Sequence, residues 1–133
     1  MTEVLPSFHD YYLTGYTVDG ERDEIHLTLR WRDEPQGKFP DVTVTFGGVA
    51  AYFFEHDLGQ NILFDIEEFP LAQCLNAQAA RFDEQCRWGW PRFWQHGHEA
   101  ALSTLTQQGV RAFAISPSYG MSGWILAQTV HHQ

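Results

Sequence analysis

Two stretches decide the fold of this chain: Ile25-His26-Leu27-Thr28-Leu29-Arg30-Trp31 and Val42-Thr43-Val44-Thr45-Phe46. In both, apolar and polar residues alternate strictly. Because successive side chains of a strand point to opposite faces, a period of two predicts strands with one buried face and one wet face. The chain is therefore built around an amphipathic sheet.

The pattern of the remaining sequence places further elements around these two strands. Extended segments are predicted at residues 11–18, 24–32, 42–46, 49–55, 61–66, 110–116 and 124–130. The apolar spacing changes to a helical period over residues 70–86 and again over 99–108. Polar, glycine- or proline-containing connections are predicted at residues 19–23, 33–40 and 117–123. Together these segments predict a single α+β domain over residues 1–133, in which a mostly antiparallel sheet of about six or seven strands carries two helices on one face.

Composition narrows the classes of partner. The chain has 133 residues with 17 acidic and 8 basic side chains, which gives a formal net charge of −9. Binding to nucleic acid through phosphates requires a basic footprint, so the sequence predicts no nucleic-acid partner and favours a basic protein. A homodimer is the other partner that stays open.

No apolar run has the length of a membrane span, and residues 1–3 lack the basic start of a signal peptide, so a cytoplasmic location without membrane contact is expected. No motif for a cofactor is found, and none is predicted. Cys74 and Cys86 lie twelve positions apart, too far on one helix for a disulfide, and free, buried thiols are expected.

Acidic residues concentrate around one predicted strand. A negative patch of this kind would speed association with a basic protein. The same charges would also protect an exposed sheet edge from aggregation, and the two interpretations have equal weight. The residues are Glu55, Asp57, Asp65, Glu67 and Glu68.

The segment Arg87-Trp88-Gly89-Trp90-Pro91-Arg92-Phe93-Trp94 is the most aromatic part of the chain. Trp and Arg dominate binding hot spots, so Trp88, Trp90 and Trp94 are candidate contact residues. Interior packing at a corner between two helices is the favoured interpretation, since large apolar side chains are usually buried. We expect part of this segment at most to form a contact surface.

Histidines and carboxylates support an alternative hypothesis, in which the chain has a catalytic function. His9-Asp10 and His56-Asp57 have the residue types of a divalent-metal or proton-transfer site, although these aspartates are also typical of turns and caps. A second, weaker set of possible ligands is His96, His98, His131 and His132. The loop at residues 116–123 has hydroxyls and glycines that an anion site would use, but a hairpin loop is the favoured interpretation.

Two short segments carry a resemblance to a known family. Leu5-Pro6-Ser7-Phe8-His9-Asp10, followed by an extended run and Phe46-Gly47-Gly48-Val49-Ala50-Ala51-Tyr52-Phe53, resembles small bacterial domains grouped with the immunity proteins of polymorphic toxin systems. The resemblance implies a compact α+β domain that binds and blocks a toxin. It implies no catalytic residues.

These observations together favour a non-enzymatic, acidic protein-binding domain, and the resemblance extends this to an immunity-type inhibitor of a bacterial toxin. One alternative is a small metal-dependent hydrolase that uses His9, Asp10, His56 and Asp57. A second alternative is a structural or oligomeric subunit, which would show a large apolar patch.

Overall fold

The computed structural model describes residues 4–31 and 40–133. The predicted end of one strand at Arg32 and most of the predicted loop 33–40 lie outside these residues. Within them the chain forms a single α+β domain with one antiparallel sheet and two helices, which confirms the predicted fold class. The strands are β1 (Tyr11–Asp19), β2 (Glu24–Trp31), β3 (Val42–Gly47), β4 (Ala51–Glu55), β5 (Asn61–Phe69), β6 (Arg111–Tyr119), β7 (Ser122–Ala127) and β8 (Thr129–His132), and the helices are α1 (Leu71–Gln85) and α2 (Gly97–Gln107).

The described strands number eight rather than six or seven because the last predicted strand is divided at Gln128 into β7 and β8. The predicted connection at residues 117–123 is also shorter than expected. Strand β6 continues to Tyr119, and the turn is made at Gly120, whose φ is 95°. The break at Gln128 depends on the curvature of the whole sheet, which no local sequence signal reports.

The strand order is β4-β7-β6-β5-β1-β2-β3-β8, and every neighbouring pair is antiparallel. The sheet curls, because the chain passes directly from β3 to β4 and from β7 to β8 while β3 pairs with β8 and β4 pairs with β7. Gly47 and Gly48 allow this bend. A Cβ at Gly47 would lie 2.6 Å from Thr129 Oγ1, and Gly48 has a φ of +61° with the side chain of Gln128 against it.

The inner face of the curled sheet holds the larger core. Five apolar positions of the two alternating stretches point inward and are each at most 1% exposed, which confirms the predicted buried faces. Val42 and Trp31, at the ends of the strands, are only partly buried. Burying a side chain of this size contributes roughly 1.5–3 kcal/mol. The inward residues of the two stretches are Ile25, Leu27, Leu29, Val44 and Phe46.

A second core lies between the helices and the outer face of β4, β6 and β7. Phe82 of α1 is its centre, with ring centroids of Trp90, Trp94 and Trp124 at 5.4, 5.1 and 5.7 Å. Helix α1 begins directly after Pro70, and the turns that follow it end at Gly89 in the left-handed conformation. The helices therefore cover one flank of the sheet and leave the outer face of the other strands uncovered.

Candidate functional site: an aromatic cleft

The curled sheet is open between β1 and β4. Among the described strands, β1 pairs with β5 at Tyr12 and Leu13 only, and β4 pairs with β7 only. In the second half of β1 the inward positions are Tyr16, opposite Leu27, and Val18, opposite Ile25. Residues directly opposite each other in an antiparallel pair share a face. Tyr16 and Val18 therefore point toward the interior, yet each remains partly exposed because no strand of the described residues closes the sheet beside them.

Aromatic side chains occupy this opening. The Tyr16 and Phe54 rings meet edge to face with centroids 5.1 Å apart, and Tyr52 lies 5.1 Å from Phe54. Phe53, between them in sequence, points to the opposite face and stacks on Trp124. We call the surface formed by Tyr16, Val18, Tyr52 and Phe54 the aromatic cleft. The succession Tyr52-Phe53-Phe54 in the sequence predicts either burial on both faces or a bulge that re-aims one ring. The register of β4 is regular, and the structure leaves the face of Tyr52 and Phe54 at an opening.

A carboxylate is fixed at one end of the aromatic cleft. Asp57 Oδ1 accepts hydrogen bonds from Asn61 Nδ2 at 3.0 Å and from the backbone N–H of Gly59 at 2.8 Å. These bonds, the one from Asn61 foremost, and a further one from the Tyr16 hydroxyl lower the pKa of Asp57. Partial burial, followed by the Asp57 charge, raises the pKa of Tyr16. At neutral pH the cleft therefore carries a phenol bound to a full negative charge.

The other end of the aromatic cleft opens into a small cavity at the tip of the β1–β2 hairpin. Its volume is about 170 Å³. Its lining combines carboxylate-bearing residues of the hairpin with two aromatic residues. We call this cavity the hairpin pocket; its walls include Val18, Asp19, Asp23, Glu24, Tyr52 and Trp90.

The five acidic residues predicted as one patch have different surroundings. Asp57 lies in the aromatic cleft, and exposed Glu55 borders a depression beside Arg81. The other three, Asp65, Glu67 and Glu68, belong to β5. Asp65 accepts hydrogen bonds from the backbone N–H groups of Phe8 and Ile66 and from the Ser7 hydroxyl, and so anchors the amino-terminal segment.

Glu68 is paired within the protein as well. Its carboxylate lies 3.3 Å from Arg111 Nη1. Glu67 is exposed and has no hydrogen bond or ion pair to the described part of the chain. Of the predicted patch, Glu55 and Glu67 are thus the members whose charges are least engaged by the fold.

The three candidate tryptophans also differ. Trp94 is buried at 3% exposure and donates from Nε1 to Asp83 Oδ1 at 2.7 Å, which is the interior packing that the sequence favoured. Trp88 is 75% exposed, with the Arg87 guanidinium 5.3 Å from its ring. Trp90 packs on Phe82 and lines the hairpin pocket. Trp88 and Trp90 therefore remain available to a partner.

The two His-Asp pairs of the alternative metal site are held by separate local contacts. Asp10 and His56 have φ values of 67° and 62°, the turn geometry that aspartate favours. His9 Nδ1 lies 2.9 Å from the Phe64 carbonyl oxygen, and His56 Nε2 lies 3.9 Å from Glu55. Asp57 bonds to Asn61. Over residues 4–31 and 40–133, no three His, Cys, Asp or Glu side chains are grouped so that they could hold a metal ion.

The second histidine set is spread over the loop before α2, α2 itself and β8. His98 packs on Trp94 with ring centroids 6.0 Å apart, and His132 packs on Phe8. His131 lies opposite Thr45 on the outer face, and His96 immediately precedes α2. His98 and His132 are thus engaged in ring packing, whereas His131 and His96 lie at a strand position and at the start of a helix.

Sequence reasoning missed a hydrogen-bonded row on the outer face of β2 and β3. His26 lies 3.1 Å from Glu24 through Nε2 and 3.0 Å from the Thr45 hydroxyl through Nδ1. The connectivity matches an acid–imidazole–hydroxyl relay. However, Thr45 is nearly buried and β3 is paired on both sides, so its backbone N–H groups are engaged in the sheet and supply no oxyanion donors. The row stabilises the sheet surface.

Comparison of the chain with models of protein families, with curated proteins and with solved structures finds no match. In the part of the chain that the structure describes, no helix combines the length and apolar content that a membrane crossing requires. Both thiols are free; Cys74 is buried as predicted, and burial raises its pKa to about 12. Cys86 is only partly buried, so the expectation of a buried thiol was wrong for this residue.

Proposed function

We propose that this chain is a non-enzymatic, acidic protein-binding domain that contacts a basic partner through the aromatic cleft. The observation that carries the proposal is the exposure of Tyr16 and Tyr52 beside Phe54 in an opening between two strand edges that do not pair. Aromatic side chains in partly closed sites are the residues that most often dominate binding energy.

Charge supports a basic partner. The whole chain carries a formal charge of −9, and Asp57 lies within the aromatic cleft while Asp19 and Asp23 lie at its hairpin end. Carboxylates around an aromatic centre steer a basic protein to the site, and their effect weakens as salt screens the charges. Tyr16 and Tyr52 then slow dissociation by excluding water.

The finer form of the proposal is an immunity-type inhibitor of a basic bacterial toxin. It is based on the resemblance of residues 5–10 and 46–53 to that family. The second of these segments ends at Tyr52 and Phe53, so it reaches the aromatic cleft. An inhibitor that blocks its toxin needs surface complementarity and no catalytic group, and the cleft provides such a surface.

The test mixes the purified protein with the product of a neighbouring toxin-like gene and measures binding by isothermal titration calorimetry at low and high salt. We expect a complex whose affinity falls with salt. Tyr16→Ala and Tyr52→Ala should each weaken it by about 1–2 kcal/mol or more. The matched control is Phe64→Ala, an exposed aromatic residue of β5 that packs on His9.

Two results would overturn the proposed surface. The first is that Tyr16→Ala and Tyr52→Ala reduce the affinity of the complex no more than Phe64→Ala does. The second is loss of binding through Trp88→Ala alone, which would move the contact to the corner between the helices. Absence of a complex, together with a stable dimer of this chain in sedimentation velocity, would replace a basic partner by a second copy.

A further inference from the structure

The hairpin pocket has features that the proposed function does not use. It is a concavity of about 170 Å³ at the end of the aromatic cleft, beside the tip of the β1–β2 hairpin. Pockets for whole small molecules usually begin at roughly 300 Å³. The hairpin pocket is thus sized for one long side chain rather than for a complete metabolite.

Two aromatic residues line this pocket, and the fold packs one of them closely. Trp90 packs edge to face on the buried Phe82, and its backbone N–H bonds to the Gln85 carbonyl oxygen. Tyr52 contacts Phe54 with ring centroids 5.1 Å apart and is 37% exposed. Because Trp90 is positioned by the fold, a cation that enters would meet an aromatic ring without having to order it.

The carboxylates at the pocket differ in how far the fold already uses them. Asp19 accepts hydrogen bonds from the backbone N–H groups of Glu21 and Arg22, which build the hairpin turn. Glu24 bonds to His26. Both acids are therefore engaged by the hairpin and its neighbour on the sheet face.

Asp23 is the carboxylate of the hairpin pocket whose side chain the described part of the fold does not engage. Its backbone is fixed in the left-handed region, with a φ of 53°, and its carbonyl oxygen accepts a hydrogen bond from the Val49 N–H at 3.0 Å. Its side chain has no hydrogen bond or ion pair to any residue in the described ranges. No lysine or arginine of those ranges lines the pocket. An exposed carboxylate on a fixed backbone position, in a pocket that two aromatic residues also line, thus lacks a cation in the described ranges.

We propose that the hairpin pocket receives one cationic side chain of the partner, a lysine or an arginine, with the cation between the rings of Tyr52 and Trp90 and the Asp23 carboxylate. This inference depends on the proposed function and names the group that the basic partner inserts. The alkyl part of such a side chain would lie against Val18.

The experiment titrates the full chain, labelled with ¹⁵N, with three probes at low salt and millimolar concentration. The probes are the Nα-acetyl N-methylamides of lysine, arginine and norleucine. The Trp90 indole N–H and the amides of Asp23 and Tyr52 report on the pocket. We expect saturable shifts of these signals with at least one cationic probe and none with norleucine, which has no charge.

Two charge-neutralising variants in the same hairpin sharpen the test. Asp23→Asn removes the unpaired charge, and asparagine tolerates the left-handed backbone at this position, so the turn is retained. Glu21→Gln removes the same charge from the same hairpin but does not line the pocket. Asp23→Asn should weaken binding of the cationic probe about three- to tenfold, and Glu21→Gln should change it less than twofold.

The inference is overturned if norleucine shifts the same signals as strongly, if the shifts of the cationic probes lie outside the pocket, or if both variants behave alike. Equal melting temperatures of the two variants exclude misfolding as the cause. A toxin-like partner that binds through Tyr16 and Tyr52, while free cations leave the pocket unchanged, would remove this inference alone. Specific cation binding with no protein complex would remove the proposed function alone.

Discussion

Trp88 and Trp94 lie in the same corner between α1 and α2, and replacing each by phenylalanine separates a core role from a surface role. Trp94→Phe removes the indole N–H that donates to Asp83 Oδ1 at 2.7 Å. Hydrogen bonds to charged groups contribute about 1.5–3 kcal/mol, and because Asp83 is exposed, screening places this bond at the lower end. Loss of one ring also leaves a void on the order of 40 Å³, which costs about 1 kcal/mol.

The expected loss for Trp94→Phe is therefore about 2–3 kcal/mol in the free energy of unfolding. Unfolding entropy is about 2.1 cal/mol/K per residue, so for a chain of 133 residues the melting temperature should fall by about 7–11 °C. Trp88 is 75% exposed, and Trp88→Phe should change stability by less than about 0.5 kcal/mol. Differential scanning calorimetry at neutral pH measures both.

A double-mutant cycle isolates the hydrogen bond. Asp83→Ala and Trp94→Phe should not be additive, because either change alone breaks the same bond. The coupling energy should be about 1–2 kcal/mol. Equal melting temperatures for Trp94→Phe and Trp88→Phe, or additive effects in the cycle, would refute the assignment of Trp94 to the core and of its N–H to Asp83.

Three further predictions concern a buried amide, an acid and the thiols. Asn61 is buried, and its Oδ1 accepts a hydrogen bond from the Met121 N–H at 2.9 Å. Asn61→Ala should leave that N–H without an acceptor and lower the free energy of unfolding by about 1–3 kcal/mol, measured as a lower midpoint of urea unfolding. The folded-state pKa of Asp57 is lowered, first by its bond from Asn61, so its contribution to stability is present above the unfolded pKa near 3.9 and is lost as pH falls through the folded value. Asp57→Asn should therefore flatten the acid side of the melting temperature measured against pH; an unchanged slope would contradict this. Cys74 is buried with a pKa of about 12. A thiol reagent at neutral pH should therefore modify Cys86 first and Cys74 only on unfolding. Equal labelling rates would be inconsistent with the core position of Cys74.

Part of the candidate site could be predicted from the sequence. The run Tyr52-Phe53-Phe54 predicted a strand, with burial on both faces or a bulge; the structure places Phe53 against the helical core but leaves Tyr52 and Phe54 in the aromatic cleft. Tyr16 gave no such signal, because a tyrosine in an alternating strand is equally expected on a closed face. Its exposure arises because, within residues 4–31 and 40–133, no strand pairs with the second half of β1 on the side opposite β2.

The sequence identified the acidic residues as charged. Which of those charges are available to a partner depends on their neighbours in the tertiary structure. Asp65 is held by a hydrogen bond from the distant Phe8 and Asp57 by bonds from its own turn, whereas Asp23 is left without a partner in the described ranges. The sequence alone does not show that Asp65 lies within hydrogen-bond distance of the Phe8 backbone. The prediction therefore treated five acidic residues as one patch, although the structure gives them different surroundings.

By itself the sequence determined the α+β class, the alternating strands around Ile25 and Val44, the helix after Pro70 and the excess of negative charge. These properties are local, since side-chain period and residue type are set within a few positions of the chain. The tertiary structure alone decided that the sheet curls, that the chain breaks its last strand at Gln128, and that β1 and β4 leave an opening between them. Those outcomes depend on pairings between distant segments, in which the geometry of the whole sheet decides which strand edges meet.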